Sequence, residues 1–228
     1  MAKKQKTVST RTTVDDINDS LTSIEQRVES NKKIITWSIV GIVVVALAVL
    51  AVIYGYIIPQ RENAQKEISK ADAEMLINQN DSLALPIYQK VAKEYGGAAA
   101  NRANLQAAEI LYAQGKYEEA LKYLNDYSAE DDLVGAAAQS LTGDCYVQLK
   151  KLDEAVKCFD KAIATSDAND LYTPIFMLKK ANVLNAQKKQ KEALAVYEAI
   201  LNDYPTFNET FGADIEKYIA RAKAQAGE

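Results

Sequence analysis

The chain has 228 residues, 27 Lys and Arg against 31 Asp and Glu, no histidine and few Gly or Pro, so its composition favours helix over sheet and lacks the commonest general base and transition-metal ligand. The charge is uneven: residues 1–33 carry a net +2, residues 34–58 carry no charge and residues 59–228 carry a net −6. Because phosphate affinity depends on clustered Lys and Arg, the acidic main domain argues against nucleic acid as the partner.

The first segment, residues 1–33, is predicted to be a cytoplasmic tail with one short amphipathic helix. Its apolar residues recur at alternating spacings of three and four, which is the pattern of one helix face. A stripe this short does not support a stable isolated coiled coil. Three interpretations stay open: the helix docks on a partner helix, it lies along the bilayer surface, or the periodicity arises by chance. The stripe consists of Val14, Ile17, Leu21, Ile24 and Val28.

Residues 34–58 read IITWSIVGIVVVALAVLAVIYGYII and are predicted to form a single transmembrane signal anchor. This uncharged run would make roughly 37 Å of helix, more than the ~30 Å hydrocarbon core requires. Trp37 near one end, with Tyr54 and Tyr56 near the other, are typical of interfacial aromatic residues. Pro59 follows and is expected to bend or end the helix.

The charge flanking the anchor predicts a cytoplasmic N-terminus and an exported main domain. Lys32 and Lys33 abut the anchor and the short tail is rich in Lys and Arg, whereas long domains translocate largely regardless of charge. The expected arrangement is therefore a single pass through a membrane, with residues 59–228 on the far side from the cytoplasm. Lys and Arg close to the membrane are nearly balanced on the two sides, so the reverse orientation stays open.

The main domain repeats a motif: residues 115–124 read GKYEEALKYL and residues 150–159 read KKLDEAVKCF. A small alanine recurs about every 35 residues, with a large side chain four positions later that fills the space beside it. Each unit is predicted to be two antiparallel helices, ended in the middle by Gly115 or its replacement, and the units must stack to bury their apolar faces. The alanines are Ala84, Ala120, Ala155 and Ala193, followed by Tyr88, Leu124, Phe159 and Tyr197.

The predicted fold is thus all-α, an α-solenoid after one transmembrane helix. The units cover about 65–98, 101–134, 136–169 and 174–207, and a capping helix covers 211–226. Two cysteines, Cys145 and Cys158, fall on the two helices of one unit; buried free thiols and a disulfide both remain open.

These residues resemble the tetratricopeptide repeat. The unit 136–169 carries the resemblance through Gly143, Tyr146, Leu149, Ala155, Phe159 and Ala162. The resemblance implies that the first helix of each unit lines a groove that binds a partner protein. The groove residues it selects are Arg102, Gln106, Glu109, Tyr112, Ser140, Asp144, Val147, Leu178, Lys179 and Asn182.

The order of tail, anchor and exported repeat domain resembles the bacterial YfgM-like family. That resemblance implies an ancillary subunit of the secretory translocon, with translocon subunits, a membrane-anchored periplasmic chaperone and exported proteins as partners. It also implies a location in the bacterial inner membrane, with residues 59–228 in the periplasm. A scaffold for another cell-envelope assembly and a cytosol-facing adaptor are the alternatives. No nucleophile elbow, phosphate loop or metal-ligand set is present in the sequence, so neither an enzyme nor a cofactor or small-molecule substrate is expected.

Overall fold

A computed structural model describes residues 29, 31–212 and 214–227, and it confirms the all-helical fold. The predicted stripe from Val14 to Val28 lies outside the described residues. The chain divides into two compact units, one ending at Pro59 and the other beginning at Gln60. The elements are α1 (Lys32–Val52), a π-helical turn (Ile53–Ile57), α2 (Ile58–Leu76), α3 (Asp81–Glu94), α4 (Gly97–Ala113), α5 (Tyr117–Asp126), α6 (Asp132–Gln148), α7 (Leu152–Thr165), α8 (Thr173–Ala186), α9 (Gln190–Asp203), α10 (Phe207–Phe211) and α11 (Ile215–Ala226).

The first unit contains α1, which is long and apolar enough to cross a membrane. None of its residues is buried, and Trp37 is 75% exposed. A buried core helix would show the opposite, because its apolar side chains would be covered by protein. Its length, composition and exposure are those of a candidate membrane span.

Of the two outcomes expected for Pro59, a bend or an end of the helix, an end is excluded, because α2 continues from Ile58 to Leu76. Pro59 is the second residue of α2, directly after the π-helical turn in which the Ile58 N–H bonds to the Ile53 carbonyl. Proline has no N–H to donate and its ring crowds the carbonyl four residues earlier. A π-helical turn shifts the hydrogen bonds by one residue, and the proline is accommodated directly after that shift.

The second unit is a series of helix pairs. In the last three pairs, α4 packs on α5, α6 on α7 and α8 on α9, while α2 and α3 contribute Ile68 and Tyr88 to one apolar cluster. Helix α4 begins at Gly97, ahead of the predicted unit boundary at residue 101. Successive pairs contact through α3 with α4, α5 with α6 and α7 with α8. Each helix is thereby covered by its sequence neighbours, as in a solenoid.

The repeated alanine is fully buried in every pair. Ala84, Ala120, Ala155 and Ala193 all have no exposed surface. The large residues four positions later are buried too, from Tyr88 at 0% exposed to Leu124 at 7%. The predicted packing of the pairs is confirmed.

Gly143 shows how tight the crossing is in the third pair. A Cβ atom built on Gly143 would lie 2.7 Å from a ring carbon of Phe159, closer than carbon atoms approach. Helices α6 and α7 therefore require glycine here to leave room for the phenylalanine ring.

The turns inside the last three pairs have one geometry. Gly115, Lys150 and Lys188 have φ of 77°, 59° and 62°, and each stands two residues before the second helix of its pair. Gln79, with φ of 51°, has the same place in the first pair, but there the Asn80 N–H bonds to the Glu74 carbonyl, six residues back. The residue after the turn closes it: the Lys116 N–H bonds to the Leu111 carbonyl at 2.9 Å, and the Lys151 and Lys189 N–H groups make the equivalent bonds. These bonds satisfy carbonyls that the helix end leaves without partners. The prediction that Gly115 or its replacement ends the first helix is confirmed.

The chain ends in a capping helix that begins at Ile215 rather than at residue 211. The short helix α10 occupies 207–211 and ends at Gly212, whose φ is 62°. The Asp214 carboxylate then accepts the Lys217 N–H at 3.0 Å and starts α11. Ile215 and Ala222 are buried in the cluster that contains Tyr197, so α11 covers the last pair.

Cys145 on α6 and Cys158 on α7 are free, buried thiols in the structure. Burial raises the pKa of Cys145 to about 12 and raises the pKa of Cys158 in the same direction. A thiol with a raised pKa is a poor nucleophile at neutral pH, which is typical of packing cysteines.

Candidate protein-binding groove

The first helices of the last three pairs, α4, α6 and α8, line one open cavity of about 480 Å³. Its wall is mostly apolar, with a small set of polar side chains on the α4, α6 and α8 surfaces. The apolar lining residues are Leu105, Leu133, Val134, Ala137, Ala138, Leu141, Tyr172, Ile175 and Phe176. The polar lining residues are Glu109, Ser140, Asp144 and Lys179. We call this cavity the groove.

All four polar lining residues are among those selected from the sequence. Arg102, also selected, lines a smaller adjoining cavity of about 230 Å³ that shares Leu105 and Val134 with the groove. The structure therefore brings together five of the ten selected residues, contributed by three different helices.

The other five do not line the groove. Gln106 donates to Glu109 at 3.1 Å, and the Tyr112 ring packs at a tilt against Tyr117 with ring centroids 5.5 Å apart. Val147 and Leu178 pack against apolar clusters inside the repeats, and the Asn182 side-chain oxygen accepts the Tyr197 hydroxyl at 2.8 Å. These residues support the walls or the helix pairs.

Asp144 and Lys179 link α6 to α8 across the groove. The Lys179 ammonium lies 2.5 Å from Asp144 Oδ2 and also donates to Ser140 Oγ at 3.0 Å. Burial raises the pKa of Asp144, and this effect exceeds the lowering by the Lys179 charge and hydrogen bond. The ion pair is thus partly desolvated, and the Lys179 charge stabilises the ionised form of Asp144 against that burial.

Asp72 links α2, α3 and α4 in a similar way, a role not recognised from the sequence. Its Oδ1 accepts the Tyr88 hydroxyl at 2.6 Å, and its Oδ2 pairs with Arg102 Nη2 at 2.8 Å. Burial, together with the bond to Asp72, raises the pKa of Tyr88, so the phenol stays a donor.

Glu109 differs from both aspartates. Its one hydrogen bond is from Gln106, and among the described residues no Lys or Arg forms an ion pair with it. The carboxylate reaches the groove opening, yet the surrounding protein displaces enough water to raise its pKa. An ionised carboxylate in such a place would gain from a cation.

The apolar lining was missed from the sequence, although a signal existed. On α6, Val134, Ala137, Leu141 and Asp144 recur at spacings of three and four, a second stripe beside the one that packs on α7. Val134, on this second stripe, is 42% exposed.

Comparison with known proteins now decides the family. The tetratricopeptide repeat model matches residues 78–132 and 105–170, and a second tetratricopeptide repeat model matches residues 176–206. Together the matched residues make up more than half of the chain. The chain belongs to the tetratricopeptide repeat family. No curated protein sequence matches it.

Solved structures share the tetratricopeptide fold at low identity. A crystal structure of MamA protein is 18% identical with a TM-score of 0.59, over 73% of this chain and 84% of that chain. YrrB, described as a TPR protein with an unusual peptide-binding site, is 16% identical with a TM-score of 0.56, over 78% and 83%. A Podospora anserina putative kinesin light chain structure is 15% identical with a TM-score of 0.56, over 74% and 88%. At this identity the likeness shows the tetratricopeptide fold alone.

Proposed function

We propose that this tetratricopeptide repeat protein is a non-enzymatic module that holds a protein partner in its groove while α1 tethers it to a membrane. The observation that carries the proposal is the groove itself: an apolar, open cavity on three first helices with a few polar side chains around it. Protein-binding sites combine apolar anchoring surface with a polar rim. The YrrB structure is described as having a peptide-binding site on the same fold.

The proposed anchor is the segment 34–58, with the N-terminus cytoplasmic and the repeat domain periplasmic. Exposed apolar side chains along α1 support it, as do Trp37 near one end and Tyr54, 69% exposed, near the other. Lys32 and Lys33 at the start of the helix support the orientation. A tether of this kind would raise the effective concentration of the groove at the membrane, so that a weak contact becomes sufficient.

The proposed partners are subunits of the secretory translocon, a membrane-anchored periplasmic chaperone and exported proteins in transit between them. The order of tail, anchor and repeat domain supports this role through its resemblance to the YfgM-like family. The groove suits such clients because emerging polypeptides expose apolar side chains that a folded protein would bury.

Site-specific crosslinking in intact membranes tests the proposal. A photoreactive residue at Ala137, an exposed residue in the groove wall, should form adducts with translocon or periplasmic chaperone subunits. The matched control is Glu118, which is exposed on the second helix α5 and should give few adducts.

The outcomes separate the alternatives. Adducts at Ala137 with another envelope complex would show that the partner is that complex and not the translocon. Adducts with cytosolic proteins would overturn the orientation. Equal yields of the same adducts at Ala137 and Glu118 would show that the groove is not the binding surface.

A further inference from the structure

Two aspartates on the first helices are each paired with a cation from the following helix pair. Asp72 on α2 is paired with Arg102 on α4 at 2.8 Å, and Asp144 on α6 is paired with Lys179 on α8 at 2.5 Å. In each case the basic side chain reaches back from the first helix of the following pair. The charge of each aspartate is therefore balanced within the domain.

Glu109 on α4 lies between these two aspartates along the chain and has no such partner, for a reason visible in the sequence. The cation would have to come from α6, whose residues DLVGAAAQSLTGDCYVQ include no Lys or Arg. Glu109 keeps the Gln106 amide at 3.1 Å as its hydrogen-bond donor and has no ion pair within the described part of the chain. Its side chain is exposed, so a cation from outside the domain can reach it.

The surface beside Glu109 is apolar. Leu105 lies one helical turn before it on α4, and Leu141 and Ile175 face the same cavity from α6 and α8. The other acid in this lining, Asp144, is already held by Lys179. The groove thus offers one unbalanced negative charge next to a pocket for an aliphatic or aromatic side chain.

We propose that the groove binds a protein segment in which a Lys or Arg stands beside a large apolar residue, the cation pairing with the Glu109 carboxylate and the apolar side chain entering between Leu105, Leu141 and Ile175. The inference rests on the proposed function, because it names the chemistry of the partner at that same groove. A cation next to Glu109 would also offset the burial that raises its pKa.

Peptide selection on the intact protein tests this chemistry. The full chain is reconstituted in phosphatidylcholine nanodiscs and used to select from a phage-displayed library of random heptapeptides. Three targets are compared: the native chain, Glu109→Gln, and Glu118→Gln as a matched loss of one exposed carboxylate on α5. The native chain and Glu118→Gln should enrich Lys or Arg next to Leu, Ile or Phe, whereas Glu109→Gln should keep the apolar preference and lose the basic one.

A binding measurement then isolates the charge. The most enriched peptide and its Lys→Met or Arg→Met version are compared by fluorescence anisotropy. Removing the cation should weaken binding to the native chain about three- to tenfold and should leave binding to Glu109→Gln unchanged. A basic preference that survives Glu109→Gln, or enriched peptides without Lys or Arg, would overturn the inference.

Ala137→Trp distinguishes this failure from failure of the proposed function, because the indole would fill the groove from an exposed wall position. Peptides that lack a basic residue but are lost with Ala137→Trp would leave the groove as a binding site and refute only its charge preference. Peptides that bind Ala137→Trp equally well, or no enrichment above empty nanodiscs, would refute both.

Discussion

At the scale of single residues, the same backbone turn is made by different amino acids. Gly115 adopts the left-handed conformation without strain, whereas Lys150 and Lys188 adopt it with a Cβ atom that crowds the following carbonyl. The turn persists because the flanking helices and the hydrogen bond that follows it hold the backbone in place. Two of the four pairs therefore store strain at a lysine.

Lys150→Gly should stabilise the domain by about 0.5–1 kcal/mol. The gain is the strain of a left-handed non-glycine residue, about 1–2 kcal/mol, less the greater freedom of glycine in the unfolded chain. Urea unfolding of the full chain in detergent, followed by helical circular dichroism, measures the change in the free energy of unfolding.

Gly115→Ala is the matched test in the opposite direction and should cost about 1 kcal/mol. A Cβ there would meet nothing closer than the Tyr117 hydroxyl at 3.9 Å, so the cost is that of the backbone alone. If both substitutions moved stability in the same direction, the turn would not be governed by left-handed strain.

At the scale of elements, the ion pair between Asp144 and Lys179 sets how α6 and α8 meet at the groove. The Asp144 side chain is the less exposed of the two, with 22% of its surface accessible against 36% for the Lys179 side chain. Removing the lysine would leave a carboxylate that burial already disfavours in its charged form.

Lys179→Met should cost about 0.5–1.5 kcal/mol at neutral pH, and the cost should shrink as the pH falls below about 4. Without Lys179 the pKa of Asp144 rises further above its unfolded value. Below the unfolded pKa of Asp144 the carboxyl is protonated in both the folded and the unfolded state, so the loss of Lys179 costs little there. As the pH rises through the raised folded pKa, the folded state of the variant loses that stability. Unfolding at pH 7 and pH 3.5 measures the difference.

The control is Lys189→Met, which removes a lysine 3.7 Å from Asp153, a carboxylate that is 77% exposed. That pair should contribute less than about 0.5 kcal/mol at either pH. An equal cost for the two variants would show that Asp144 is not the group that makes Lys179 important.

The elements also show which parts of the structure the sequence predicts. Positions inside one pair repeat with the motif, so the buried alanines from Ala84 to Ala193 and the large residues four positions after them follow from spacing alone. The links between pairs do not repeat: Arg102 reaches back to Asp72 and Lys179 to Asp144 from different places on their helices. They depend on how far each pair is rotated against the next, which no local pattern specifies.

At the scale of the whole repeat domain, stability is the sum of neighbouring contacts and is therefore local. The pairs touch in chain order, and α11 packs on α9 at the end of the series. In such a solenoid, damage at one end frays the adjacent pair without unfolding distant ones. The groove spans α4, α6 and α8. The α8 wall belongs to the last pair and therefore depends on α11, whereas the α4 wall does not.

Ile215→Asn should test this division. Ile215 has no exposed surface and lies with Tyr197 and Ile200 in the last apolar cluster, so a polar amide there should cost about 2–4 kcal/mol locally. Hydrogen exchange should accelerate in α9 and α11 and stay unchanged in α4. Leu83→Asn, at a leucine that is 54% exposed in the first pair, should change neither region. Faster exchange throughout all helices with Ile215→Asn would instead show one cooperative unit, in which the cap supports both walls of the groove.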